Sequence, residues 1–249
     1  MEIALGIVLG LLLGQLAALR FVRFYTDEAI RGPLFQCAEC RAPFRPLFAV
    51  PIVGWIASGT RCPDCAERLP IRWLVLPIGS AVMFVVSRLV FDDVAGMLLG
   101  GFFGTVFLTL TMTDLDRRLL PNRIVYPSTI LAIALCWAWP ESEVVEVIAG
   151  GLVGIAIAVL LLLVSLPFGA NALGMGDVKM IILIGFVVGF PPVLIAIFIG
   201  TLAAAVIAGF LLITRIRGRK DYIPHGPFLA IGAVTAMWFG EEIWDAYRN

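Results

Sequence analysis

The chain has 249 residues, of which 61% are hydrophobic and 14% charged, and its mean hydropathy is +1.00. Soluble domains typically carry about 25% charged residues, so this composition predicts a membrane protein. Its basic and acidic residues balance to a formal net charge of zero, which argues against a nucleic-acid partner. Several apolar runs approach the roughly 20 residues that a helix needs to cross a bilayer. Unbroken apolar runs indicate helices rather than barrel strands.

The first apolar run, residues 3–19, follows an acidic residue, Glu2, and precedes Arg20 and Arg23. A secretory signal would begin with basic residues. We therefore expect a retained first helix whose N-terminus lies outside the cell.

Seven further apolar stretches follow, so we predict an all-α membrane protein with about eight transmembrane helices. The predicted spans are 3–19, 73–91, 94–113, 123–140, 144–168, 177–190, 192–214 and 226–244. The sequence thus divides into a first transmembrane helix (1–19), a polar four-cysteine module (20–72) and a seven-helix membrane domain (73–249).

The distribution of basic residues predicts the orientation, because cytoplasmic loops are enriched in Lys and Arg. With the N-terminus outside, all of the 18 Lys and Arg residues except Arg88 and Arg248 fall on the cytoplasmic side. The opposite loops are acidic. The four-cysteine module is therefore predicted to be cytoplasmic.

Four cysteines in that module form two C-x-x-C pairs, Cys37 with Cys40 and Cys62 with Cys65. Two such pairs suit tetrahedral coordination of zinc by thiolates. In the reducing cytoplasm four thiols favour a metal over disulfides. A module of about fifty residues with few aliphatic side chains builds little core, which makes a metal cross-link physically plausible. We predict a structural, zinc-ribbon-like site. A redox pair or incidental thiols are the alternatives.

Two aspartates stand at ends of predicted spans on the cytoplasmic side, Asp114 in "LTMTDLDRRLLPN" and Asp177 in "GMGDVK". Ionisable groups in membrane segments are costly and suggest function. Two carboxyl groups that share a site do not both ionise easily, so the pair provides one acid and one base for peptide hydrolysis. Gly174 and Gly176 would allow close approach to Asp177. Taken singly, Asp177 could be a helix cap and Asp114 a loop residue.

Other catalytic arrangements are poorly represented. The sequence contains no G-x-S-x-G, no H-E-x-x-H and no phosphate-binding glycine loop. The one histidine, His225, is interpreted as a loop or interface residue. Lys179 either anchors the start of its helix or acts electrostatically on Asp177.

These motifs resemble those of the type IV prepilin peptidases, membrane aspartic proteases of the GxGD kind. "TDLDRRLLPN", with Pro121 following the first aspartate, is similar to the family's first-aspartate motif, "GMGDVK" to its second, and the four cysteines to its cytoplasmic insert. The resemblance implies that Asp114 and Asp177 are the catalytic pair, whereas Asp116 is not the matching position. It further implies a bacterial inner-membrane endopeptidase that removes the basic leader of prepilins or pseudopilins for a type IV pilus or type II secretion system.

Many members of that family also methylate the new N-terminus with S-adenosylmethionine. Where the family usually shows G-S-F-L-N, this chain reads "LGQLAALRF", and where it shows R-Y-P-x-V-E, this chain reads "IRWLVLPIGS", with Pro77 in place of the glutamate. The resemblance therefore supports the peptidase more strongly than the methyl transfer.

Three alternatives are weighed against this interpretation. A presenilin-like intramembrane protease would carry Tyr-Asp, where this chain has Thr113-Asp114, and no cysteine insert. An ion- or proton-coupled transporter would place its carboxylates near mid-membrane in repeated, broken helices. A quinone-linked thiol oxidoreductase would have its cysteines on the oxidising side.

Overall fold

A computed structural model of the chain describes residues 2–20, 37, 40, 42, 50, 52–57, 59–68, 71–140, 142–168, 174–215 and 224–249. Most of these residues are helical. Within the described ranges the only β-pairing is an isolated bridge between Arg61 and Arg68. The all-α class predicted from the sequence is therefore confirmed.

Nine α-helices form in the described residues, and they are numbered here in chain order. Their bounds are α1 Glu2–Arg20, α2 Val53–Ala57, α3 Arg72–Val90, α4 Val94–Arg117, α5 Asn122–Ala134, α6 Val144–Ser165, α7 Met175–Val188, α8 Pro192–Ile213 and α9 Gly226–Arg248. Two 3-10 turns, Cys136–Ala138 and Leu166–Phe168, follow α5 and α6.

All eight predicted spans coincide with helices, but five of those helices are long and apolar enough to cross a membrane: α1, α3, α4, α6 and α8. The predicted count of eight spans is not confirmed for the other three. Helix α5 ends at Ala134, short of the predicted residue 140. Helix α7 has 14 residues, about 21 Å at 1.5 Å per residue. Helix α9 carries Glu241, Glu242 and Asp245 near its end.

The chain folds as two compact units, residues 1–109 and 110–249. In the first unit, α1 packs antiparallel to α3. Glycines of α1 permit this close approach, because a Cβ at Gly10 would lie 2.5 Å from the Cα of Ala81. Arg88 near the end of α3 contacts Glu2 at the start of α1, with N···O distances of 2.6 and 2.7 Å. A buried hydrogen bond of 2.6 Å between Ser80 and Thr105 connects α3 to α4.

In the second unit, α7 is the central helix and contacts α5, α6, α8 and α9. Its buried residues run through almost its whole length, from Asp177 to Val188. Gly150 of α6 packs against Gly185 of α7, and Gly232 of α9 packs against Ala196 of α8. A short helix can thus be enclosed by longer neighbours, which explains why α7 is apolar on all sides.

The division at residues 19 and 72 predicted from the sequence follows composition, and it stays a prediction. Much of segment 20–72 lies outside the described residues, as do the basic residues Arg217, Arg219 and Lys220.

Candidate active site

Asp114 lies in the last turn of α4, three residues before the helix ends at Arg117. Arg118, the first residue after the helix, has a φ of 56°, and this left-handed conformation ends the helix. The backbone N–H of Arg118 donates to the carbonyl of Asp114 at 2.9 Å. Although it stands at a helix end, Asp114 is only 3% exposed. Its burial is unusual for an ionisable residue.

Asp177 lies in the first turn of α7. Gly174 precedes the helix in an extended conformation, and its carbonyl accepts the first bond of the helix from the N–H of Asp177 at 2.9 Å. Met175, which begins the helix, is exposed, whereas Asp177 is 8% exposed. The glycine-rich segment thus turns the chain into α7 so that the carboxylate faces the interior of the unit.

Asp114 and Asp177 belong to the same compact unit, and the segments that carry them are in contact, because a Cβ at Gly176 would lie 3.0 Å from the Cβ of Leu120. The structure therefore brings together two buried carboxyl groups that the sequence analysis selected from separate motifs. Asp116 lies in the same segment as Asp114, but it is exposed, and Nε of Arg117 lies 3.8 Å from its Oδ2. Burial thus distinguishes Asp114 from the nearby Asp116.

The first amide of α9 contacts this pair. The N–H of Gly226 donates a hydrogen bond of 2.9 Å to Oδ2 of Asp114. His225, the preceding residue, is half-buried at the N-cap of α9, with its ring centroid 6.5 Å from that of Phe228. Burial lowers the pKa of the His225 imidazole, so this side chain is neutral at pH 7.

Lys179 joins α7 to α5. Its ammonium donates a hydrogen bond of 2.8 Å to Oδ1 of Asn122 and lies 5.3 Å from the ring centroid of Tyr126. Two roles were expected for Lys179, and these contacts are those of a residue that anchors the start of its helix.

Pro121 and Gly176 shape the same region. Pro121 is buried at the N-cap of α5, where its carbonyl accepts hydrogen bonds from Ile124 and Val125 at 3.0 and 3.1 Å. A Cβ at Gly176 would lie 3.0 Å from the Cβ of Leu120. Leu120, the residue before Pro121, therefore packs against the glycine that precedes the second aspartate.

The four cysteines of the first unit form one cluster. Every pair of their sulfurs lies within 4.8 Å, and the distances from Cys37 to Cys65 and from Cys40 to Cys62 are both 3.8 Å. The backbone forms a tight turn at the second pair, where the N–H of Ala66 donates to the carbonyl of Cys62 at 2.9 Å.

This geometry fits a tetrahedral metal. Sulfurs at about 2.3 Å from zinc are separated by about 3.8 Å in a regular tetrahedron. Two sulfurs belong to buried residues, Cys37 and Cys62, and two to exposed residues, Cys40 and Cys65. The described residues thus support the predicted metal site, with four thiolates as its donors.

Three residues that the sequence analysis did not single out contact the candidate site: Gly226, Asn122 and Tyr126. The Gly-Pro pair at 226–227 is typical of a helix start. Nothing in the sequence, however, indicates which side chain the first amide of that helix contacts.

Two family models match the chain. The model described as "Type IV leader peptidase family" matches residues 101–209, and that described as "Bacterial Peptidase A24 N-terminal domain" matches residues 8–91. The first match contains both Asp114 and Asp177, and the second contains all four clustered cysteines.

Curated relatives resemble the chain over most of its length. A "Prepilin leader peptidase/N-methyltransferase" from Bacillus subtilis (strain 168) is 25% identical over 96% of this chain and 95% of its own. One of the same name from Pseudomonas putida is 25% identical over 85% of this chain and 74% of its own. A "Type 4 prepilin-like proteins leader peptide-processing enzyme" from Escherichia coli O78:H11 is 28% identical over 83% and 76%. No solved structure matches the chain significantly.

Proposed function

The chain belongs to the type IV prepilin peptidase family, and from this premise we propose that it is an aspartic endopeptidase with Asp114 and Asp177 as its catalytic pair. Its substrates are prepilins or pseudopilins, whose basic leader it removes. The observation that carries the proposed mechanism is the burial of both carboxyl groups in one unit, on two segments that are in contact at Leu120 and Gly176.

Two adjacent carboxyl groups supply the chemistry that peptide hydrolysis requires. One carboxylate takes a proton from water as the water oxygen attacks the scissile carbonyl carbon. The other, protonated, polarises that carbonyl, and a proton passes to the leaving nitrogen as the C–N bond breaks. Burial excludes competing water and strengthens both interactions. A pair that shares one proton thus provides acid and base together.

The neighbouring contacts support the proposed role of this region. Gly176 gives Leu120 room beside the second motif, and Lys179 connects α7 to Asn122 of α5. We propose that Gly174, Gly176, Lys179 and Pro121 shape the site and hold the two aspartate segments in register.

We further propose that the active site and the four-cysteine module face the cytoplasm of a bacterial inner-membrane protein that crosses the bilayer several times. The distribution of Lys and Arg supports this orientation. The apolar helix of the substrate would lie in the bilayer, while its basic leader stays on the cytoplasmic face. The pair between Glu2 and Arg88 supports placing the start of α1 on the same side as the end of α3.

Arg88 was one of two basic residues predicted to lie outside. Its charge is compensated by Glu2 at 2.6 Å, which explains how an arginine is accommodated on that side.

Zinc is the metal that we propose for the cysteine cluster. The sulfur separations support a tetrahedral thiolate site, and its role would be to stabilise the module rather than to react with substrate.

The relatives from Bacillus subtilis and Pseudomonas putida are also named for N-methyl transfer. We propose this second reaction for the chain, at the new N-terminal amine of the mature substrate, with S-adenosylmethionine as the methyl donor. Gln15 and Pro77, which stand where the family pattern differs, are both buried. Mass spectrometry of the mature N-terminus tests this reaction separately from cleavage, and an unmethylated product would reject it.

The test of the aspartic mechanism is co-expression of a prepilin with Asp114→Asn, Asp177→Asn or Asp116→Asn. We expect the first two variants to accumulate in membranes and to lose cleavage by at least about 100-fold, as for the loss of a general acid or base. The exposed Asp116 serves as the matched control and should cleave normally. Normal cleavage by either of the first two would reject the assignment.

A further inference from the structure

The two proposed catalytic carboxyl groups have different surroundings. Asp114 accepts a hydrogen bond of 2.9 Å from the first amide of α9, at Gly226, and the charge of Arg118 acts favourably on it. Among the described residues, none donates a hydrogen bond to the carboxyl of Asp177, whereas the repulsion between the two carboxylates is mutual and favours neither as the place of the proton. The two groups are therefore unequal before any substrate binds.

The donor to Asp114 favours its ionised form. The first N–H groups of a helix have no partner within the helix and carry its partial positive charge. Helix α9 has 23 residues, and its first amide points at Oδ2 of Asp114. Hydrogen bonds from backbone N–H to a carboxylate are stronger than those between neutral groups.

Asp177 lies in the first turn of its own helix, α7, so a dipole acts there as well. However, the backbone N–H of Asp177 donates to the carbonyl of Gly174. The carboxyl group of Asp177 takes no part in this hydrogen bond. The directed amide and the arginine charge both act on Asp114. This comparison places the carboxylate at Asp114.

We propose that Gly226 is a positioning residue that holds Asp114 as the carboxylate, so that a proton shared by the pair lies on Asp177. This inference rests on the proposed aspartic mechanism. Asp114 then takes the proton from the attacking water, and Asp177 donates its proton toward the substrate carbonyl. The water oxygen bonds to the carbonyl carbon. The peptide C–N bond then breaks as Asp114 passes the proton it took from water to the leaving nitrogen, and the proton that Asp177 gave to the carbonyl oxygen returns to Asp177.

The position also requires glycine for space. A Cβ at residue 226 would lie 2.8 Å from Oδ2 of Asp114 and 3.1 Å from both its Cβ and its Cγ. Any side chain would therefore push the buried carboxyl group away from the amide. The neighbouring His225 is neutral because its burial lowers its pKa, so it does not compete with the amide by adding a positive charge.

The test compares Gly226→Ala with a matched control, Gly209→Ala in α8, where an added Cβ meets no atom within 4 Å. Prepilin cleavage by the full-length enzyme in vesicles gives kcat, KM and the pH profile of kcat/KM for each. We expect kcat of Gly226→Ala to fall by about 100-fold, the effect of misplacing a catalytic group by about 1 Å. KM should change much less than kcat, because the added methyl group displaces the carboxyl of Asp114, which acts in the chemical step.

The acid limb of the pH profile distinguishes positioning from general damage. That limb reports ionisation of the base in the free enzyme. Weakening the amide contact should move it to higher pH in Gly226→Ala and leave it in place in Gly209→Ala. A fall in kcat with an unmoved acid limb, or no fall in kcat, would overturn the proposal.

Where Gly226→Ala does not accumulate, the double variant Asp114→Gly with Gly226→Ala replaces the kinetic test. Glycine at residue 114 removes the Oδ2, Cγ and Cβ atoms that the new Cβ would meet, so the double variant should accumulate like Asp114→Gly alone. Failure of the double variant to accumulate would overturn the contact. Inactive Asp114→Asn and Asp177→Asn enzymes beside a fully active Gly226→Ala enzyme would reject this inference alone, whereas active Asp→Asn enzymes would reject the aspartic mechanism.

Discussion

The ammonium of Lys179 donates a hydrogen bond of 2.8 Å to the side-chain oxygen of Asn122, across the junction between α7 and α5. Each partner is the last residue of one of the two aspartate motifs, Asn122 of "TDLDRRLLPN" and Lys179 of "GMGDVK". The ring of Tyr126, one turn along α5 from Asn122, receives the same ammonium on its face at 5.3 Å. Lys179 therefore connects the two segments that carry the proposed catalytic residues.

This contact predicts an order of stability among variants of Asn122. Asn122→Asp keeps the acceptor oxygen and adds an opposite charge, so its Tm should equal or exceed that of the wild type. Asn122→Leu removes the acceptor and should lower the free energy of unfolding by about 1 kcal/mol or less, because the pair is exposed. Thermal unfolding in detergent measures both. An Asn122→Leu protein as stable as Asn122→Asp would contradict the predicted role of the contact.

Gly176 predicts a steric effect at the second motif. In Gly176→Ala the new Cβ would lie 3.0 to 3.3 Å from three side-chain atoms of Leu120, so Leu120 must shift by a few tenths of an ångström. The fall in kcat should be smaller than the about 100-fold that a displacement of about 1 Å causes. Gly176→Val should have a larger effect. Prepilin cleavage by the two variants is the measurement, and equal activity in both would contradict the close packing.

The sequence predicted the helices better than it predicted their lengths. Apolar runs indicated a helix at each of the eight positions, because burial in protein and burial in lipid favour the same residues. For α7 the two kinds of burial give the same pattern: its apolar residues are buried against α5, α6, α8 and α9, and this 14-residue helix has the composition expected of a span. At α5 the chain leaves the α-helix after Ala134 and forms the 3-10 turn at Cys136–Ala138, although the apolar pattern continues.

The candidate site was predictable where its residues carry a motif. Asp114, Asp177 and the four cysteines came from spacing and side-chain chemistry, and the predicted family is confirmed by both family models. Gly226 could not be found in this way, because its contribution is a backbone amide that lies 112 positions from Asp114 in the chain. The contact from Lys179 to Asn122 likewise depends on how α5 and α7 pack.

The cysteine cluster predicts loss of metal on removal of one ligand. Cys37→Ser should weaken zinc binding by more than about 100-fold, since changes to residues that only support a ligand already cost 10- to 100-fold. Cys136 is the matched control, because it lies in the 3-10 turn after α5 and outside the cluster. Cys136→Ser should keep the metal content of the wild type.

Elemental analysis of the purified proteins measures the zinc directly. Metal binding contributes to folding of small cysteine modules, so Cys37→Ser should also expose the module to limited proteolysis. Undiminished zinc in Cys37→Ser would reject the assignment of these four thiolates.

The ion pair between Glu2 and Arg88 predicts a stabilising contact between α1 and α3. Both nitrogens on one edge of the guanidinium approach the same carboxylate oxygen, at 2.6 and 2.7 Å, and a third donates to the carbonyl of Phe91 at 3.1 Å. The side chains are 44% and 24% exposed, so solvent screens the pair. Glu2→Gln should therefore lower the free energy of unfolding by about 1 kcal/mol or less.

Reversing both charges distinguishes the interaction between Glu2 and Arg88 from the effect of each charge alone. Arg88→Glu alone places two carboxylates together and should destabilise more than Glu2→Gln, whereas Glu2→Arg with Arg88→Glu should recover part of the loss, because opposite charges face each other again. Glu242→Gln in α9, an exposed acidic residue, should leave Tm unchanged. If the double reversal were no more stable than Arg88→Glu, the two side chains would not be coupled, and the ion pair would not stabilise the contact between α1 and α3.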